Sequence, residues 1–191
     1  MLQSLINKYV NDPRDPKTNL DLGKYYDELG QNASAISFYL RAAELTEDKH
    51  LAYDCIVRNF LLIDNLTRRS FSARGQIFHA IALLPERPEA YFHLSRLYEQ
   101  KQEWLEMYAT TIQAKTFKRD YTRSTDLNLD YPGDYALDFQ KGVAAWWINR
   151  GDEAGNIFKY LLDTYNMRHD FKAGCVNNLK RIGRHTEELE N

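Results

Sequence analysis

The sequence predicts an all-α chain of antiparallel helix pairs arranged in series, and three observations predict it. Apolar residues recur at helical spacing along most of the chain. The same set of small and aromatic residues returns at fixed offsets, which marks an internal repeat. Only 9 Gly and 5 Pro punctuate 191 residues, too few for a many-stranded, turn-rich β protein.

The elements follow in chain order. Residues 1–11 read as a cap helix, with Leu2, Leu5, Ile6 and Tyr9 at helical spacing. Residues 16–49 form the first pair, with helices expected at 17–29 and 33–46. Leu22, Gly23 and Tyr26 share a face of its first helix, Gly30 ends that helix, and Ala35, Tyr39 and Ala42 share a face of the second. Residues 50–87 form the second pair, at 50–63 and 70–83. Adding 34 to the first-helix positions gives Ile56, Val57 and Phe60; adding 38 to the second-helix positions gives Ala73, Ile77 and Ala80. Four extra residues therefore fall around Asn65 to Ser70. Residues 88–121 form the third pair, at 88–101 and 103–117. An offset of 72 gives Leu94, Ser95, Tyr98, Met107, Thr111 and Ala114. Residues 134–167 form a degenerate fourth pair, at 134–150 and 152–166. An offset of 121 gives Val143, Ala144, Trp147, Gly151 and Tyr160, and puts Asn156 and Asp163 where small residues are wanted. Residues 168–183 read as a closing helix through Phe171, Cys175, Leu179 and Ile182. The polar Arg184–Asn191 segment is expected to fray. Phe117 to Gly133 is the one long non-repeat connection, and residues 1–191 are expected to behave as one domain.

These positions resemble the tetratricopeptide repeat (TPR), whose unit is about 34 residues. Small residues let two helices approach closely, and an aromatic fills the space between them. Pro85 stands where a repeat-ending proline stops a helix, and Pro88 where a missing N–H costs little. The resemblance covers roughly residues 12–166 and implies a TPR-like right-handed superhelix of helix pairs. A narrower likeness also exists. The stretches from Asn11 to Leu45, from Arg87 to Trp104 and from Asp134 to Gly155 look like the repeat region that follows the catalytic domain in some family 2 glycosyltransferases. Arg87 to Tyr98 is its most specific part. No Asp-x-Asp motif occurs, so only the accessory part of that family's role carries over.

Charge and composition narrow the function. Lys+Arg is 25 and Asp+Glu is 27, a formal net charge of -2, so no global basic excess draws the chain to nucleic acid. No run of about 18 apolar residues predicts a membrane span, and the N-terminal MLQSLINKYVND lacks the form of a signal peptide. Cys55 and Cys175 form neither a metal-ligand spacing nor a disulfide framework, which fits a reducing, cytoplasmic setting.

Catalytic and metal motifs are weak. The five histidines make no HExxH or HxH, and no G-x-S-x-G or phosphate loop occurs, so no enzyme activity and no cofactor are expected. Asp126, Asn128 and Asp130 begin like a calcium loop. Tyr131 then stands where glycine is needed and Leu137 where a bidentate Glu is needed, so a solvated loop is the better reading. Of the aromatics, Tyr25, Trp104, Tyr108, Tyr131, Tyr135 and Trp146 fall outside the packing positions.

The functional signal lies on the first helices. Positions 2, 5, 9 and 12 of each pair share one face: Lys17, Leu20, Lys24 and Asp27, then Leu51, Asp54, Arg58 and Leu61, then Glu89, Phe92, Arg96 and Glu99. Lys24, Arg58 and Arg96 make a basic series suited to carboxylates. The competing expectation is internal pairing, with Asp27 for Lys24, Asp54 for Arg58 and Glu99 for Arg96. The carboxylate clamp of chaperone-binding repeats is not expected, because Lys24 and Glu89 occupy two of its positions. The sequence thus predicts a non-catalytic scaffold that takes a peptide or protein, acidic in character, against Leu20, Lys24, Asp54, Arg58, Phe92, His93 and Arg96. The alternative is an accessory domain of a glycosyltransferase system that positions a glycan or partner enzyme.

Overall fold

A computed structural model describes residues 1–67, 70–117 and 127–190. Among them ten helices follow one another: α1 (Leu2–Asn11), α2 (Pro16–Glu28), α3 (Asn32–Leu45), α4 (Lys49–Thr67), α5 (Ser70–Leu83), α6 (Pro88–Gln100), α7 (Trp104–Ala114), α8 (Asp134–Trp147), α9 (Gly151–Thr164) and α10 (His169–Glu190). All four expected pairs are present. α4 is longer than expected: it runs to Thr67, so much of the inserted segment lengthens a helix and not a loop. α10 likewise continues to Glu190 and does not end near Ile182. Arg68, Arg69, Asn191 and most of the 117–133 connection, Asp126 included, lie outside the described residues.

Local chemistry sets the helix ends. The Asp15 carboxylate accepts from the backbone N–H of Lys17 and Thr18 at 3.2 and 2.9 Å, and Pro16 opens α2 without wasting a donor. The turns inside three pairs share one geometry. Gly30, Gln102 and Asn149 all have left-handed φ, at 68, 57 and 62°. Each is followed by a residue whose N–H reaches back five: Gln31 to Tyr26, Glu103 to Tyr98 and Arg150 to Ala145, at 2.9, 2.9 and 2.8 Å. That is the Schellman closure of a helix, normally given to glycine because it lacks Cβ.

This turn corrects the register of the fourth pair. Gln102 lies 72 residues after Gly30, as the repeat predicts, but Asn149 lies 119 after it and not 121. Packing agrees. A Cβ on Gly23 would lie 2.6 Å from the Tyr39 ring, and one on Gly142 would lie 2.8 Å from the Phe158 ring. Gly142 and Phe158 are Gly23 and Tyr39 plus 119. The small and aromatic positions of the last pair are therefore Gly142, Ala154 and Phe158, all buried. Trp147, Asn156 and Tyr160, assigned to packing positions at offset 121, are exposed.

The chain divides into two compact units, Met1–Ala90 with Asp120–Leu129, and Tyr91–Arg119 with Asp130–Asn191. In the first unit, Ala35, Tyr39, Ala42, Val57, Ala73, Ile77 and Ala80 are fully enclosed. α1 closes one side: Tyr9 meets Phe38 edge-on at 5.6 Å, and Phe38 stacks on Tyr26 at 5.5 Å. In the second unit, Met107, Leu137, Ala144, Ala145, Phe158 and Leu161 are buried, and α10 packs on α8 and α9. Ser95 and Thr111 occupy the places of Gly23 and Tyr39 in the third pair. Both hydroxyls are buried and donate to carbonyls of their own helices, Phe92 and Tyr108, at 2.8 and 2.7 Å. Each large apolar side chain enclosed this way contributes about 1.5–3 kcal/mol.

Candidate functional site

Position 5 of the first helices turns inward. Leu20, Asp54 and Phe92 are all buried, as is His93 beside Phe92. Lys24 and Arg58 are half-buried, and Arg96 is exposed. Among the sequence-predicted residues, the charged position 9 thus remains accessible, while Leu20, Asp54, Phe92 and His93 are buried.

The acids that meet these cations differ from those expected on helical spacing. Arg58 on α4 forms a two-pronged pair with Asp27 on α2: Nε donates to Oδ2 at 2.6 Å and Nη2 to Oδ1 at 2.8 Å. Its Nη1 donates to the Asn128 carbonyl at 3.2 Å. Tyr39 adds a hydroxyl donor to Asp27 Oδ2 at 3.0 Å. Donation to the Asp27 carboxylate raises the Arg58 pKa, and burial pushes the Tyr39 hydroxyl well above its ordinary value. Asp27 is thereby committed to Arg58, and Lys24 has no ion pair among the described residues.

Asp54, expected to meet Arg58, instead meets Arg87 at 3.2 Å. Arg87 is 2% exposed. Its Nε and Nη2 donate to the two oxygens of Glu89 at 3.1 and 2.8 Å, and its guanidinium lies 4.6 Å over the Tyr53 ring. Tyr53 Oη accepts from the Ala90 N–H at 3.0 Å, tying the start of α6 to α4. Burial opposes the Arg87 charge, but Glu89 and Asp54 outweigh it and leave its pKa raised. This cluster is structural. Its signal in the sequence is the Arg-Pro-Glu run at the start of α6, which spacing on a helix face does not reveal.

The second unit holds an open cavity of about 230 Å³. Phe92, Phe139 and Phe171 give it an aromatic lining, and Arg96, Glu99 and Gln140 stand on its wall. Phe139 and Phe171 meet edge-to-face at 5.1 Å. Gln140 Nε2 donates to Glu99 at 3.2 Å, while Gln140 Oε1 is buried with no donor. Arg168 is matched by Asp170 through bonds of 2.8 and 3.3 Å. Arg96 lies 5.9 Å from the centre of the Phe92 ring and has no ion pair among the described residues. Sequence reasoning includes Phe92 and Arg96 but misses Phe139, Gln140 and Phe171. Offset 119 supplies the signal, since it gives Phe139 and Gln140 the positions of Leu20 and Asp21, and hence of Phe92 and His93.

A separate aromatic surface lies on α7 and α8. Trp147, 56% exposed, stacks on Trp104 at 5.0 Å and 10°. Arg150 and Lys141 sit over Tyr108, whose hydroxyl donates to Glu153 at 2.9 Å. Cys55 and Cys175 are buried free thiols, and burial pushes them up to about 12 and about 11. Among the described residues, no cluster of His, Cys, Asp or Glu is arranged to hold a metal ion, and no helix is long and apolar enough to cross a membrane.

No family model and no curated protein sequence matches the chain. Solved structures match its fold. A crystal structure of MamA is 23% identical, with 84% of each chain covered and a TM-score of 0.63. Cut9, in the hetero-tetramer with Hcn1 of the anaphase-promoting complex (APC/C), is 17% identical. There 99% of this chain covers 34% of Cut9, with a TM-score of 0.60. TPR-like repeats of a putative kinesin light chain from Podospora anserina are 16% identical, with 93% and 92% covered and a TM-score of 0.51. The chain has a TPR-like fold.

Proposed function

We propose that the protein is a non-catalytic scaffold that binds an acidic segment of a partner protein through accessible cations of its first helices. The observation that carries this reading is Arg96, an exposed guanidinium without an ion pair among the described residues, beside an aromatic cavity. A planar fork of five donors suits carboxylates. Lys24, half-buried and without an ion pair among the described residues, offers a second cation in the first unit. Arg58 does not offer a third, because Asp27 holds it. The occurrence of the similarly folded Cut9 in a hetero-tetramer with Hcn1 supports a protein partner. Two buried free thiols support a reducing, cytoplasmic setting.

The test uses a purified partner recovered from the native host. A Lys24→Ala, Arg96→Ala double variant should stay folded and bind more weakly than the parent at low salt. The difference should shrink as salt rises, because exposed charges are screened beyond about 10 Å at 0.1 M. Parental binding by the variant across the whole salt series would overturn the reading.

A second reading is an accessory role in glycan positioning, which exposed Trp147, stacked flat on half-buried Trp104, favours. It predicts tryptophan emission changes on adding oligosaccharide, abolished in Trp147→Ala.

A further inference from the structure

The first unit holds a cavity of its own, of about 320 Å³, between the end of α3, the start of α4 and the later turns of α5. Its floor is aliphatic. Leu40 and Ala43 come from α3, Ala52 and Ile56 from α4, and Leu83 from α5. Ala52 and Ile56 are buried, and the other three are half-buried. Ala43 and Ala52 border the space with one methyl group each and leave it unfilled. A volume of this size stands at the small end of ligand pockets and suits one large side chain. No Phe, Tyr or Trp lines it among the described residues. A leucine-sized side chain placed there leaves water for aliphatic walls on three helices.

The rim sets the charge of the occupant. Glu44 and Glu47 stand on it, both exposed and neither in an ion pair among the described residues. Both lie at the unfavourable end of a helix. α3 ends at Leu45, and its last turn holds no basic residue. The C-terminus of a helix carries partial negative charge. Glu44 within that turn and Glu47 just beyond it therefore add to the field of the free carbonyls instead of cancelling it. Lys49 is the one lysine on the wall among the described residues, and it balances only one of the two acids. A cation brought to this rim is drawn by two carboxylates and a helix end, and an anion is opposed by both.

We propose that this cavity takes one large aliphatic side chain from a partner segment, with a neighbouring lysine or arginine held by Glu44 and Glu47. The site goes beyond the scaffold reading above, from which it differs in its helices and in its sign. Lys24 and Arg96 select an acidic segment, and this cavity selects a basic one.

Four blocked tetrapeptides test this by NMR titration of the whole chain: Ala-Leu-Arg-Ala, Ala-Ser-Arg-Ala, Ala-Leu-Gln-Ala and Ala-Leu-Glu-Ala. The titrations run at pH 8, above the ordinary range of a histidine such as His79 on the wall. The first peptide should bind most tightly and shift the amides of Ala43, Ala52 and Leu83. Replacing its Leu by Ser should weaken binding about tenfold, and replacing its Arg by Gln a few-fold. A Glu44→Gln, Glu47→Gln double variant, changed at exposed positions, should bind the Arg and Gln peptides alike and keep the preference for Leu over Ser. Ala43→Leu should fill the cavity and abolish binding. Equal binding of the Leu and Ser peptides, tighter binding of the Glu peptide, parental binding by a folded Ala43→Leu, or no binding of any peptide at millimolar concentration overturns the proposal. So does self-association of the chain alone that Ala43→Leu abolishes, which assigns the cavity to a second copy. None of these results touches the scaffold reading, which stands or falls on the purified partner and the Lys24, Arg96 variant.

Discussion

Arg58 and Arg96 stand at the same position of successive repeats, yet one is clamped and the other has no ion pair among the described residues. Arg58 meets Asp27, which occupies position 12 of the preceding pair. The residue at position 12 of the pair before Arg96 is Leu61, which carries no charge. What a repeat position does is therefore decided less by its own residue than by the residue the previous copy supplies. Arg87 marks the limit of the same trend, with two acids and an aromatic face enclosing it.

The comparison predicts a graded set of losses. Arg87→Ala should be the most damaging, at about 3–5 kcal/mol, because it removes the buried guanidinium that meets both Asp54 and Glu89. Urea unfolding measures it, and a loss below that of Arg58→Ala would break the ranking. Arg58→Ala comes next, at about 1.5–3 kcal/mol, since it removes two charge-assisted hydrogen bonds from a pair only 23% and 13% exposed. Asp27→Asn should recover part of that loss in the double variant, because the two residues act as one unit.

Glu153 sharpens the comparison from the acid side. Burial alone raises its pKa, but hydrogen bonds from Lys141 and Tyr108 bring it below the ordinary value. A carboxylate depressed in the folded state stabilises it at pH above the unfolded pKa, about 4.3. That contribution fades as pH falls through the folded pKa. Glu153→Gln should thus lower stability at pH 7 by less than about 1 kcal/mol, since the pair is partly exposed. Parent and variant should converge once the pH has fallen below the folded-state pKa of Glu153. Smallest of all, Arg96→Ala should change stability by no more than about 0.5 kcal/mol. A larger loss would mean that Arg96 holds the fold, as Arg58 does.

Much of the fold is legible in the sequence because close helix contacts leave few choices. Gly23 beneath Tyr39, and Ala35 and Ala42 beside it, announce a pair through size alone. The fourth pair reads two residues out of register because Trp147 resembles a packing aromatic, whereas the turn at Asn149 carries no glycine to mark it. That shift also hides Phe139 and Gln140 from the site. The ion pairs are legible only in kind. Spacing along one helix points to Asp54 for Arg58, but the acid used comes from another helix, and single-helix periodicity holds no information about that.

The two thiols give each unit its own clock. Cys55 belongs to the first unit and Cys175 to the second, both enclosed and both protonated at neutral pH. Only the thiolate reacts with a disulfide reagent, and only when the chain around it opens. Labelling rates of Cys55→Ser and Cys175→Ser, each carrying one remaining thiol, therefore report the opening free energy of one unit at a time in otherwise native protein. If one unit breathes more readily, its cysteine reacts first. A bound partner would then slow the thiol of the unit it holds.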